Sequence, residues 1–195
     1  MAEMKPIPGR AWPPEMLEAL AAMTPPNPRY DVHPGEEGPP KPINMLGIFA
    51  HHPALARAFF TFNGHILMGT TLSERQRELL TLRTAALRNC GYAWVQHLFI
   101  GHDAGLDDEE IARVAFGPDA PFWSDLEAAL LRAADELVHD GEITDATWEV
   151  LSGQLDYQQL LDVIFTVGAY DTLTMMMRSV RLQLDDEFYS LWERR

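Results

Sequence analysis

From Pro42 onward the apolar residues return at intervals of three and four, the spacing of a helix that buries one face. The stretch at 44–69 reads as two short apolar helices broken near Pro53. Capping boxes punctuate the rest. Ser73 is followed three residues on by Gln76, Asp107 by Glu110, Ser124 by Glu127 and Asp156 by Gln159. These pairs predict helix starts ahead of 74, 108, 125 and 157. Gly105 predicts the stop of the helix that opens near Gly91. No run alternates apolar and polar residues for long, so no sheet is expected and the fold class is all-α, with short connections between helices.

The first 42 residues differ. Eleven of the fourteen prolines fall there, which excludes a long helix. One short helix is predicted within 13–23, where prolines stand at its start. The stretch at 24–42 reads as an extended arm, with Trp12 and Tyr30 as residues that dock this part of the chain. The expected organisation is a Pro-rich arm over 1–42 and a helical domain over 43–195.

Projection of residues 73–89 at about 100° per residue puts Leu79, Leu82, Ala85 and Ala86 on one apolar arc. Arg77, Thr81, Thr84 and Arg88 form the expected polar side. Glu78 and Arg83 fall with the apolar arc instead. A carboxylate facing an apolar interior is costly unless paired, which makes Glu78 a general acid or base candidate. A structural pair of Glu78 with Arg83 or with a histidine is the alternative. On the next helix Cys90, Trp94, His97 and Gly101 share a face, so His97 is expected to point inward near the helix that carries Glu78. Cys90 and His97 are two turns apart, about 10 Å along a helix, too far for the imidazole to activate the thiol. The position one turn before His97 is Ala93.

Composition narrows the function classes. With 15 basic and 29 acidic residues the net charge is −14, which argues against nucleic acid as a partner. Cys90 is the single cysteine, so an intrachain disulfide is excluded. No signal-like leader and no uninterrupted apolar run of membrane-spanning length is seen, so no membrane partner and a cytoplasmic location are expected. The histidines show no metal-ligand spacing: His97 and His102 are five apart, and His51 and His52 point to different faces. Tyr170, with Met175, Met176 and Met177, suggests a sulfur-rich apolar wall.

The segment "LSERQRELLTLRTAALRNCGYAWVQHLFIGHDAGLDDEEIARV", supported by "AHHPALARAFF" and "LLDVIFTVGAYDTLTMMM", resembles the carboxymuconolactone decarboxylase family within the alkyl hydroperoxidase D-like superfamily. The peroxidase branch resembles Glu-x11-Cys-x2-Cys-x3-His. Glu78, Cys90 and His97 fit, but the second cysteine is Ala93, so a dithiol cycle within one chain is absent. Decarboxylase-like relatives resemble Tyr-Glu-Trp-x-x-His. Tyr92, Trp94 and His97 fit, and Ala93 stands where the glutamate would be. The resemblance implies an all-α homo-oligomer (dimer, trimer or hexamer) without metal or organic cofactor. It implies a lyase acting on a small carboxylate or lactone, with His97 as proton donor or acceptor and Glu78 assisting. Arg83 would anchor the substrate carboxylate, and Cys90, Tyr92, Ala93, Trp94 and Tyr170 would line the site. The alternatives are a thiol antioxidant that uses Cys90 and a non-catalytic binding protein on the same fold.

Overall fold

A computed structural model describes residues 4–30 and 41–192. The part of the expected arm at 31–40 lies outside the described residues. Among those described there is no strand. The helices are α1 (Pro14–Ala21), α2 (Ile43–Phe49), α3 (Pro53–Gly64), α4 (Glu74–Leu87), α5 (Gly91–Asp103), α6 (Asp108–Phe116), α7 (Asp125–His139), α8 (Asp145–Ser152), α9 (Tyr157–Ser179) and α10 (Asp186–Trp192). Each predicted capping box forms with reciprocal hydrogen bonds. Gly105 takes φ +84° just past the end of α5.

The chain divides into two compact units, Met1–Thr70 with Met176–Arg195, and Thr71–Met175. The first holds α1 to α3 and α10. Helix α1 lies on α3 and buries Met16 and Ala19 completely. Phe49 and Phe60 meet edge-on at 4.9 Å between ring centres. The backbone N–H groups of Arg29 and Tyr30 donate to the Met68 carbonyl, and the Trp12 indole donates to the Ile7 carbonyl.

The second unit is built around α4, which packs against α5, α6 and α7. Leu80 joins one apolar cluster with Ala129, Leu130, Ala133 and Val163. Leu79 and Leu82 join another with Leu106, Ile111, Val114 and Leu131. Each such fully buried leucine contributes about 1.5–3 kcal/mol. A helix with core on two sides has little room for a wet face. The expected polar side of α4 is therefore corrected: Arg77, Thr81 and Thr84 are all buried. Burial obliges each polar group to find a partner, and the Thr84 hydroxyl donates to the Leu80 carbonyl at 2.8 Å. At the far end, Arg75 ties the caps of two neighbours together. It bonds Glu110 and Glu127, the carboxylates of the α6 and α7 capping boxes.

Candidate functional site

A tight turn brings the two candidate residues together. Asn89 adopts φ +49° directly after α4, a left-handed conformation that asparagine tolerates. The Cys90 N–H then bonds back to the Ala85 carbonyl at 2.9 Å. Helix α5 starts at Gly91. Glu78 lies eleven residues before Asn89 and His97 eight after it, about 16 Å and 12 Å along their helices at 1.5 Å per residue. The two side chains thus stand within about one turn of the same height. Close approach of the helices is helped by Gly101, where a Cβ would lie 3.3 Å from a Leu82 methyl.

The result is a buried charged cluster. His97 Nδ1 lies 2.7 Å from Glu78 Oε2, and Arg77 Nε donates to Glu78 Oε1 at 3.0 Å. Glu78 is 0% exposed and His97 4%. Burial alone pushes the Glu78 carboxyl up. The His97 charge and hydrogen bond, together with the Arg77 guanidinium, outweigh it and hold the group below the ordinary carboxylate value. Arg77 keeps its charge in the same way: burial opposes it, and the Glu78 carboxylate more than compensates. An ionised Glu78 can only accept. His97 Nδ1 must therefore carry the proton that bridges them, which leaves Nε2 as the nitrogen able to take or give a proton.

Tyr170, from α9, meets the His97 ring edge-on at 4.9 Å and 90°. Its phenol is raised well above the ordinary tyrosine value, first by burial and then by the Glu78 charge, so it stays neutral. The phenol is directed at Thr81, whose Oγ1 is buried without a well-formed hydrogen bond. Thr166, one turn before Tyr170 on α9, also has a buried Oγ1 without a partner. A buried hydroxyl without a protein partner, as at Thr166, can bond a water.

Sequence reasoning missed Arg77 and Thr81. For Arg77 the signal was present, since an arginine beside an inward glutamate is its simplest neutralising partner. The one-faced projection placed it on the wrong side.

The remaining expected site residues are distributed differently. Arg83 does not join the cluster. Its Nε and Nη2 bond Asp135 at 2.5 and 3.0 Å, and Nη1 bonds the carbonyls of Val114 and Ala115. A protein carboxylate thus occupies the fork that was expected to receive a substrate carboxylate. Trp94 packs on the Leu79, Leu82 and Ile111 cluster. Tyr92 and Ala93 are buried near the start of α5, at 6% and 1% exposure. Cys90 precedes that helix as its N-cap and is 3% exposed. An open groove of about 500 Å³ between α7 and α8 is lined by Asp125, Arg132 and Glu149 but by no residue of the cluster.

Residues 53–136 match the carboxymuconolactone decarboxylase family. No curated protein matches the chain. Among solved structures, the alkylhydroperoxidase AhpD core of an uncharacterized peroxidase-related protein from Ralstonia eutropha has a TM-score of 0.73 at 19% identity, covering 97% of this chain and 96% of that one. A peroxidase-related protein from Silicibacter has a TM-score of 0.66 at 19% identity, covering 74% and 78%. The debrominase Bmp8, in a cysteine-to-alanine variant bound to 2,3,4-tribromopyrrole, has a TM-score of 0.74 at 11% identity, covering 100% and 97%. At these identities the likeness establishes the AhpD-like helical fold.

Proposed function

We propose that this chain, which carries a carboxymuconolactone decarboxylase family segment over 53–136, is a cofactor-independent lyase acting on a small carboxylate or lactone. The observation that carries the reading is the buried bond of 2.7 Å between Glu78 and His97, with Arg77 on the other carboxylate oxygen. Glu78 fixes the imidazole tautomer and leaves Nε2 as the nitrogen that faces a substrate, the arrangement a proton-transfer residue needs.

The proposed step is a decarboxylation. The bond between the substrate skeleton and its carboxylate breaks and carbon dioxide leaves. The electron pair moves into a conjugated carbonyl, forming a dienolate. His97 Nε2 delivers its proton to carbon, and the imidazole regains a proton from water. A site shielded from water favours loss of the carboxylate charge.

The experiment is turnover of a panel of conjugated lactone carboxylates in heavy water, read as carbon dioxide release and deuterium in the product. His97→Gln is expected to lower turnover by about 10²–10⁴-fold. Undiminished turnover in that variant would refute the assigned proton donor. A second reading, thiol chemistry at Cys90, draws support from the debrominase being studied with a cysteine replaced. The panel therefore includes Cys90→Ala. On the lyase reading its turnover stays within a few-fold of the parent chain.

A further inference from the structure

Glu78 holds His97 at one point, and one hydrogen bond fixes an atom rather than a plane. The imidazole could still turn about the line from Nδ1 to Glu78 Oε2, carrying Nε2 with it. The ring that stops this turn is Tyr170, perpendicular to the imidazole at 4.9 Å between centres and buried. Tyr170 comes from α9, a third helix. The direction of Nε2 therefore depends on where α9 stands relative to α5.

The next residue on α9 sets that relation. Asp171 receives the fork of Arg88: Nε donates to Oδ1, and Nη2 donates to Oδ2 at 3.0 Å. Nη2 also donates to the Val138 carbonyl of α7 at 3.2 Å. Arg88 is the C-cap of α4. It directly precedes Asn89, the left-handed residue from which α5 departs. One guanidinium thus fastens the turn leading into the His97 helix to the residue beside Tyr170. A bidentate fork fixes direction as well as distance. Tyr170 and Asp171 are consecutive, about 100° apart around α9, so a rotation of α9 that moved the aromatic ring would also break the fork. The pair is partly sheltered, with side chains 32% and 20% exposed. None of the Arg88 hydrogen bonds goes to Glu78 or His97.

We propose that the Arg88–Asp171 pair is a positioning device for His97: it sets α9 against the start of α5, and Tyr170 then holds the imidazole plane so that Nε2 keeps one direction. Arg88 and Asp171 meet no reacting atom and act through Tyr170. Their effect on turnover rests on the reading of His97 as the proton-transfer residue; their effect on the ring does not. Arg75 supplies the comparison. It is also a partly exposed arginine bonded to carboxylates, but it ties the caps of α6 and α7 at the other end of α4.

The test uses the full chain with 15N-labelled histidine. Long-range proton–nitrogen spectra report which ring nitrogen carries the proton and how many environments the ring samples, and His97→Gln assigns the signals. The parent chain should show one His97 environment with the proton on Nδ1. Two variants open the clamp: Asp171→Ala, and Arg88→Lys, which keeps a charge but has no fork. Each should lose the single environment, by a second set of signals or by exchange broadening, while helical circular dichroism is retained. Either one suffices if the other does not fold. Tyr170→Leu should do the same, whereas Tyr170→Phe, which keeps the ring, and Arg75→Ala should retain one environment. On a substrate that is turned over, opening the clamp should lower kcat by up to about 100-fold with KM little changed. A single sharp His97 environment in folded Asp171→Ala or Arg88→Lys would overturn the proposal. So would an undisturbed ring in Tyr170→Leu, or an equal disturbance in Arg75→Ala or Tyr170→Phe. A disturbed ring with undiminished turnover would instead leave the clamp standing and count against His97 as the proton-transfer residue.

Discussion

Replacing Arg77 by methionine tests the electrostatic core of the site. Methionine keeps most of the buried stem and removes the guanidinium that bonds Glu78 Oε1. Glu78 is completely buried, so the folded variant has two options. It can hold a carboxylate compensated by His97 alone, and breaking a buried pair by deleting one partner costs about 3–5 kcal/mol. Or Glu78 can take up a proton. Starting from the ordinary value of 4.5, protonation at pH 7 spans 2.5 pH units, about 3.4 kcal/mol at 1.36 kcal/mol per unit. The cheaper route sets the outcome, so the loss at pH 7 is about 3 kcal/mol.

The pH dependence then separates this cause from lost packing. In the parent chain the Glu78 value is depressed by folding, so its contribution is present above 4.5 and is lost as pH falls through the folded value. In the variant the folded value is raised. Its contribution is full below 4.5 and is lost as pH rises through the new value. The gap between the two proteins therefore shrinks by about 1.4 kcal/mol per unit between pH 7 and 5. Urea unfolding at pH 7, 6 and 5 measures it. Glu78→Gln in the Arg77→Met background should recover stability at pH 7, because no charge is then stranded. A gap under 1 kcal/mol, flat with pH and unaffected by Glu78→Gln, would refute the claim that Arg77 keeps Glu78 ionised.

Arg75→Ala should cost only about 1 kcal/mol at pH 7, because the cluster is partly solvated. Since the Arg75 hydrogen bond is the leading cause of the low Glu110 value, the parent's contribution is lost on acidification, and the variant's unfolding curve should be flatter between about pH 5 and 3. Gly117→Ala should lower stability by about 2 kcal/mol or more in thermal melts. Its φ is +102° and the new Cβ would lie 2.7 Å from Arg83 Nη2, displacing the guanidinium from Asp135. Cys90, at 3% exposure, should react with iodoacetamide at neutral pH at least 100-fold more slowly than in urea; rapid native labelling would revive the thiol reading.

Local chemistry was the legible part. Cap residues act within three or four positions, so the starts of α4, α6, α7 and α9 could be read from Ser73, Asp107, Ser124 and Asp156 without knowing the fold. Glu78 and His97 were also readable, because each breaks the pattern of its own helix in the same sense, a polar group on an apolar arc. Arg83 was not. Its partner Asp135 is 52 residues away, and nothing in the spacing of either helix distinguishes that carboxylate from a substrate's. The largest error came from assuming that α4 has a wet side. A helix packed against three others obeys no single-face rule, and Arg77 and Thr81 were misplaced for that reason alone.

That misplacement bears on what the site can bind. With Arg77 recognised, the buried charges are one guanidinium, one carboxylate and one imidazole. When His97 is protonated, the three sum to +1; when it has given its proton away, they sum to zero. Ala93 stands at the position where decarboxylase-like relatives carry a glutamate. A second carboxylate there would cancel the positive state and oppose an anionic substrate. With alanine in its place, the cluster is positive while it holds the proton and neutral after carboxylate charge has left as carbon dioxide. The charge of the site therefore follows the charge of the proposed substrate through the reaction, and Ala93→Glu should weaken binding of a carboxylate more than it slows proton delivery.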